Sequence, residues 1–290
     1  MIKMGSASKG FIERSRIKQF PDLSGLNLMH AKYVTHCFPK HSHDCFGVGV
    51  VEQGALNFYY RGENCVASSG EINTVNPGEV HTGAAAGESG WMYRMFYFDA
   101  DLLQHFCNEM ADRVTSLPSF RSGVIRDNDL AMSIRDIHVK MLDGYAGRLE
   151  RETLLLKMFS RLVRQYASDP PACKKIGAEP TAVRRAVEYL DAHFSEDISV
   201  STVAAVACVS PYHFIRVFSR HTGLTPHAWL MQVRIHKAQG MLRHGLGIGQ
   251  VAAATGFADQ SHLSRVFKRI LGYTPGQFSN CVQYAKPSQR

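Results

Sequence analysis

The stretch Gly249-Gln-Val-Ala-Ala-Ala-Thr-Gly-Phe-Ala-Asp-Gln-Ser-His-Leu-Ser-Arg-Val-Phe-Lys-Arg-Ile-Leu-Gly-Tyr-Thr-Pro275 has a second copy earlier in the chain. That copy is Ser201-Thr-Val-Ala-Ala-Val-Ala-Cys-Val-Ser-Pro-Tyr-His-Phe-Ile-Arg-Val-Phe-Ser-Arg-His-Thr-Gly-Leu-Thr-Pro226. Val-Ala-Ala recurs at 203–205 and 251–253, Arg-Val-Phe at 216–218 and 265–267, and Thr-Pro at 225–226 and 274–275. The offset therefore changes by one residue between the first block and the second. An insertion inside a helix would rotate one face by about 100° and spoil its packing, whereas a turn absorbs it at little cost. Each copy thus reads as helix, turn, helix, with the turns near 208–210 and 256–260.

The first helix of each copy begins near Val200 or Ile248 and is short and Ala-rich, so a second helix can cross it closely. Gly256 suits a left-handed backbone at the helix end; Cys208 holds the same place less favourably. The second helix starts at Ser210-Pro211 or at Gln260-Ser261, with Ser and Pro as start signals. Phe214, Val217 and Phe218, and then Leu263, Val266 and Phe267, form its buried stripe. Tyr212, Ile215, Arg216, Ser261, His262, Ser264 and Arg265 lie off that stripe. The second helix of such a unit enters the major groove of DNA. Residues 227–244 between the units, read as a helix, span roughly 27 Å, against about 34 Å between successive major-groove faces. One chain can then read an asymmetric site on double-stranded DNA.

Charge agrees. The net charge is +8, and residues 178–290 carry 12 Lys/Arg against 6 Asp/Glu while the rest carry 21 against 19. The basic excess sits with the repeat, which suits a polyanionic partner.

Residues about 181–280 resemble the DNA-binding domain of the AraC/XylS family. The motif carrying the resemblance is Gly256-Phe257-x-Asp259-Gln260-Ser261-His262-Leu263-Ser264-Arg265-Val266-Phe267-Lys268, closing in Gly272-Tyr273-Thr274-Pro275. The resemblance places base contacts at Tyr212, Ile215 and Arg216, and at Gln260, Ser261, His262, Ser264 and Arg265. Cys208 and Ile215 depart from the commoner small and polar choices. Arg216 and Arg265 suit a bidentate guanine contact or a phosphate, Ile215 a thymine methyl, and Arg220, Lys268 and Arg269 phosphates.

Upstream, residues about 26–100 read as strands. Apolar runs at 46–51, 56–60 and 92–98 are separated by turn signals such as Gln53-Gly54, Arg61-Gly62 and Asn76-Pro77-Gly78, the pattern of an all-β sandwich or barrel. His41-x-His43 and Pro77-Gly78-Glu79-x-His81 resemble a cupin barrel of the kind that precedes AraC-type DNA-binding domains. The resemblance implies a small-effector pocket, for which His41, His43, His81, Tyr60 and Arg94 are the candidates. A metal on His41, His43 and His81 is the alternative, as is mutual satisfaction of these groups at a strand end. Metal-dependent cupin enzymes add a Glu four or five residues after the second His, where this chain has Gly47 and Val48; the nearest is Glu52. An enzyme is therefore not expected, and neither is a cofactor. Residues about 127–167 read as two helices, from Leu130, Ile134, Ile137, Met141 and from Leu155, Phe159, Leu162, Tyr166. They either cap the barrel or form a dimer contact.

The expected fold class is α+β and multidomain: a cupin-like β-barrel with a helical pair, then an all-α domain with two helix-turn-helix units. The segments are a tail (1–25), the barrel (26–125), a helical dimerisation element (126–167), a linker (168–180) and the DNA-binding domain (181–285), with units at about 200–221 and 248–271. Thr181 after Pro180 is the expected N-cap of its first helix. No run of about 18 apolar residues exists and residues 1–20 lack a signal-peptide pattern, so a cytoplasmic location and no membrane partner are expected. The seven cysteines, Cys37, Cys45, Cys65, Cys107, Cys173, Cys208 and Cys281, are odd in number and contain no C-x-x-C. Reduced thiols are expected, with a thiol sensor at Cys37 or Cys45 as a further alternative. The resemblance also implies a homodimer, contact with RNA polymerase, and activation of transcription.

Overall fold

The computed structural model describes residues 13–144, 146–172, 177 and 179–284, the last four by backbone alone. Cys173, the side chain of Cys281, residues 1–12 of the expected tail and part of the expected linker lie outside the described residues. The chain divides into two compact units. Among the described residues, one gathers those up to Cys107 with Thr115–Leu142 and Met158–Pro171; the other gathers Asn108–Val114, those of 143–157 and those from Ala172 onward.

The first unit is built on antiparallel strands β1 (Arg14–Gln19), β2 (Leu26–Tyr33), β3 (Phe38–His41), β4 (Cys45–Tyr60), β5 (Glu63–Ser68), β6 (Ile72–Val75), β7 (His81–Ala85), β8 (Trp91–Asp99) and β9 (Val124–Ile125). One sheet runs β1-β2-β8-β4-β6-β9, while β3, β5 and β7 assemble with the far half of β4. The sixteen-residue β4 therefore serves both layers. It changes register against β8 between Val51 and Gln53, and the corner is made at Gly54, where φ is +68° and a methyl group would sit 1.9 Å from the Gly90 carbonyl oxygen. Only glycine fits so close an approach. Residues 14–19, grouped with a tail on sequence, pair with β2 as a mostly exposed edge strand.

Strand parity sets the two faces of the main sheet. Trp91, Tyr93, Met95 and Tyr97 of β8 turn inward to the barrel. Phe96 and Phe98 turn to the helices, where Phe98 meets Phe159 at 4.9 Å between ring centroids and Phe96 meets His138 at 5.3 Å. These helices are α1 (Ala100–Ala111), α2 (Asn128–Leu142) and the later part of α3 (Arg148–Tyr166). The expected helical pair is present as α2 and α3; α1 is additional.

The second unit holds α4 (Pro180–Ala192), α5 (Val200–Ala207), α6 (Pro211–Thr222), α7 (Pro226–Arg243), α8 (Ile248–Ala254), α9 (Gln260–Leu271) and α10 (Pro275–Tyr284). Glu179, rather than Thr181, occupies the N-cap position of α4, because Pro180 already sits at the first helical position. One core includes Leu190, Val203, Phe214, Phe218, Ile235, Val251, Leu263 and Phe267, and so joins both copies of the repeat. Among the described residues, no single helix is long and apolar enough to cross a membrane.

Candidate functional site

Each helix-turn-helix unit is closed by its own caps. In the first, Ser199 Oγ accepts from the Thr202 N–H at 3.0 Å and Ser210 Oγ from the His213 N–H at 3.4 Å, with Pro211 at the first helical position of α6. Cys208 ends α5 in a left-handed conformation at φ 57°, a place that costs a residue with a Cβ more than it costs glycine. In the second, Gly256 takes the left-handed place at φ +74°. Asp259, rather than Ser261, caps α9: its Oδ1 accepts from the His262 N–H at 2.6 Å.

The two units are tied by a residue that sequence reading passed over. Arg234 on α7 is buried, and its guanidinium donates to three carbonyl oxygens: Phe194 at 2.6 Å, Glu196 at 2.9 Å and Gly256 at 2.6 Å. The first two lie in the α4–α5 connection and the third in the α8–α9 turn. Burial lowers its pKa to about 10, which leaves it charged at neutral pH. Its position within the stripe Leu230, Met231, Arg234, Ile235, Ala238, Leu242 is the signal that marks it, since a cation at a core position needs built-in acceptors.

The candidate base-reading residues fall into two groups. On α9, Gln260, Ser261 and Arg265 are exposed and His262 and Ser264 half-buried, with the candidate phosphate residues Lys268 and Arg269 exposed on the same helix. The His262 ring lies 5.2 Å from that of Phe257, and burial and the Arg265 charge hold its pKa below the usual range. On α6, Arg216 is half-buried and Arg220 exposed. Tyr212 and Ile215, however, are each only 4% exposed, and Ile215 belongs to the core cluster. Both side chains are covered here, unlike Arg216 and Arg220. The buried stripe of α6 is wider than its helical period indicated, taking in Tyr212, His213, Phe214, Ile215, Val217 and Phe218. Arg216 stacks over the Tyr212 ring at 5.2 Å, and His213 Nε2 and Glu179 Oε1 are 2.6 Å apart.

The barrel of the first unit holds a half-open cavity of about 450 Å³. His41, His43 and His81 line it together, with ring centroids 4.3 Å (41 to 81), 4.9 Å (43 to 81) and 6.2 Å (41 to 43) apart. Each donates its Nδ1–H to a backbone carbonyl: Pro39 at 2.8 Å, Cys45 at 2.8 Å and Glu79 at 3.0 Å. A carbonyl only accepts, so these bonds fix the Nδ1–H tautomer of the neutral rings and leave every Nε2 with its lone pair. Burial lowers the pKa of His43 and His81 and favours that neutral form. Among the described residues, no group of three or more His, Cys, Asp or Glu could hold a metal ion.

The other two pocket candidates lie elsewhere. Arg94 has the opposite strand parity and pairs on the outer face of β8 with Glu52, Nε to Oε1 at 2.8 Å. Tyr60 donates its hydroxyl to Glu79 and accepts from Asn76 Nδ2 at 2.8 Å, so it holds the Pro77-Gly78 turn. The sequence reading missed Asn73, which is buried and lines the cavity beside Trp91; an Asn between Ile72 and Val75 in a short strand was the available signal. Cys45 also lines the cavity, and burial raises its pKa, which keeps it a thiol; Cys37 is exposed.

The sequence matches an AraC-like ligand binding domain over residues 24–159 and a helix-turn-helix domain over 203–280. It is 27% identical over 232 residues to the uncharacterized HTH-type transcriptional regulator YbfI of Bacillus subtilis (strain 168), covering 80% of this chain and 83% of that one. It is 26% identical over 252 residues to the HTH-type transcriptional activator RhaS of Escherichia fergusonii, covering 82% and 86%. Among solved structures, the DNA-binding domain of AdpA in complex with a target DNA is similar at 30% identity, covering 37% of this chain and 97% of that one, with a TM-score of 0.35. The chain belongs to the AraC family of helix-turn-helix, DNA-binding transcription regulators.

Proposed function

We propose that this regulator is an effector-responsive activator that reads two adjacent major grooves with α6 and α9 and takes its effector in the barrel cavity. The observation that carries the reading is the Arg234 junction, which joins two capped helix-turn-helix units through one buried guanidinium. A linking helix of eighteen residues supports it, being roughly 27 Å long. Activation and response to an effector are supported by likeness to an activator and by the cavity. Homodimer formation, contact with RNA polymerase, action in the cytoplasm and the absence of catalytic turnover belong to the same reading. Among the described residues, no Asp or Glu lines the cavity to complete a catalytic iron site of the cupin type. The base contacts remain as assigned for α9; on α6 the accessible candidates are Arg216 for a base and Arg220 for a phosphate.

Transcription in vitro tests the proposal. A promoter carrying a site selected from genomic DNA by the purified protein, purified RNA polymerase and the protein should give more transcript than polymerase alone, and more again with a small-molecule extract of the cell. Lower transcript at every protein concentration, with and without extract, would make the protein a repressor.

A further inference from the structure

The cavity has a definite chemistry. Among the described residues, its lining includes no Lys, Arg, Asp or Glu. Burying a charged ligand there would cost far more than burying a neutral one, since no opposite charge would meet it. The walls are aromatic, with Tyr33, Phe38, Phe58, Trp91, Tyr93 and Tyr97 among them. Tyr33 meets Trp91 at 5.2 Å and Phe38 edge-on at 5.3 Å.

Two polar atoms in this lining are buried with no hydrogen-bond partner: Asn73 Oδ1, an acceptor, and Trp91 Nε1, a donor. An unmet buried polar atom costs about 1–3 kcal/mol, a cost that a bound molecule removes. The three imidazoles add Nε2 lone pairs, because each Nδ1–H is already given to a carbonyl. Acceptors thus outnumber the one donor by four to one in this set.

Resting on the reading of the cavity as the effector site, we infer that the effector is an uncharged ring compound bearing several hydroxyl or N–H donors. The donors go to Asn73 Oδ1 and the imidazole Nε2 atoms, one acceptor goes to Trp91 Nε1, and the ring lies against the aromatic wall. Neutral sugars and polyhydric phenols share this chemistry.

The test uses the full chain and a size-matched panel followed by thermal shift and calorimetry. It contains neutral hexoses, myo-inositol, catechol and resorcinol, the carboxylates glucuronate and benzoate, and the amines glucosamine and benzylamine. The expected result is that the tightest binder is a neutral, donor-bearing ring. Trp91→Phe and Asn73→Leu should each weaken it about tenfold or more, and the melting temperature of each ligand-free variant reports whether the barrel is intact. A hexose or a phenol as that binder distinguishes the two sources. A carboxylate or amine as the tightest binder overturns the inference about class while leaving the cavity an effector site. Neutral binding that the two variants leave unchanged also overturns it. No binding by any compound overturns the class and, if a cell extract also gives no thermal shift, the effector reading itself.

Discussion

The guanidinium of Arg234 and the carbonyl of Gly256 meet at 2.6 Å, which joins the linking helix to the turn of the second unit. The same guanidinium holds Phe194 and Glu196 at the entry to the first unit. Gly256 cannot be other than glycine here: its φ is +74°, and an added methyl would fall 2.6 Å from the Ser195 carbonyl oxygen and 2.9 Å from Arg234 Nη2. The spacing of the two recognition helices thus rests on a buried cation rather than on apolar packing alone.

Replacing Arg234 by Met keeps an unbranched stem and removes every donor. Three carbonyls then lose a charged partner. The expected loss is about 3 kcal/mol of stability, read by urea unfolding of the full chain. A loss below about 0.5 kcal/mol, the scatter of ordinary surface changes, would show that the junction is not structural.

Arg265 and Lys268 lie on one helix and are expected to differ in kind. Arg265→Ala should cost about 1–3 kcal/mol in binding and relax specificity at one base position. Lys268→Ala should weaken binding evenly across sequences and lower the slope of log K against log salt by about one. Salt titrations on the selected site and on single-base variants separate the two. An even loss for Arg265→Ala would reassign it to the phosphates.

The two recognition helices differ in this structure: α9 presents exposed Gln260, Ser261 and Arg265, whereas Tyr212 and Ile215 of α6 are covered. Glu179 holds His213 of α6 at 2.6 Å. Glu179→Ala leaves the buried His213 without this partner and should cost about 1–3 kcal/mol of stability, read by urea unfolding of the full chain. An unchanged unfolding midpoint would mean that the contact does not hold α6.

His138 gives the first unit an acid limit. It is fully buried, its Nε2 lies 3.1 Å from the Met29 carbonyl oxygen, and its pKa is lowered to about 3 by burial and by the Arg94 charge. The unfolded chain takes up this proton near the ordinary value of about 6.5, so it binds more protons than the folded chain below that pH. Stability from this residue is intact above about 6.5 and is lost as pH falls from there towards about 3. His138→Gln should make the melting temperature less dependent on pH in that window. An equal dependence in variant and parent would contradict this.

Much of the architecture was legible because it is written in periodic patterns. The one-residue offset change placed both turns, and the Leu263, Val266, Phe267 stripe placed the buried face of α9. The edge strand at 14–19 was not legible: Arg-Ser-Arg-Ile-Lys-Gln has no apolar face, and its pairing is supplied by β2. Strand parity could have separated Arg94 from the cavity, since 91, 93, 95 and 97 share the other face. The covering of Tyr212 and Ile215 is tertiary, and no local pattern announces it. Arg234 was readable only as a cation in a core stripe, with acceptors that come from distant turns.

Selection of genomic DNA fragments by the purified full chain at physiological salt, followed by sequencing, tests the central claim most directly. Two linked recognition helices predict an asymmetric site with two half-sites about one helical turn, roughly 34 Å, apart. Arg234→Met should loosen that spacing. No enriched site, or a site with a single half-site, would contradict two-groove reading by one chain.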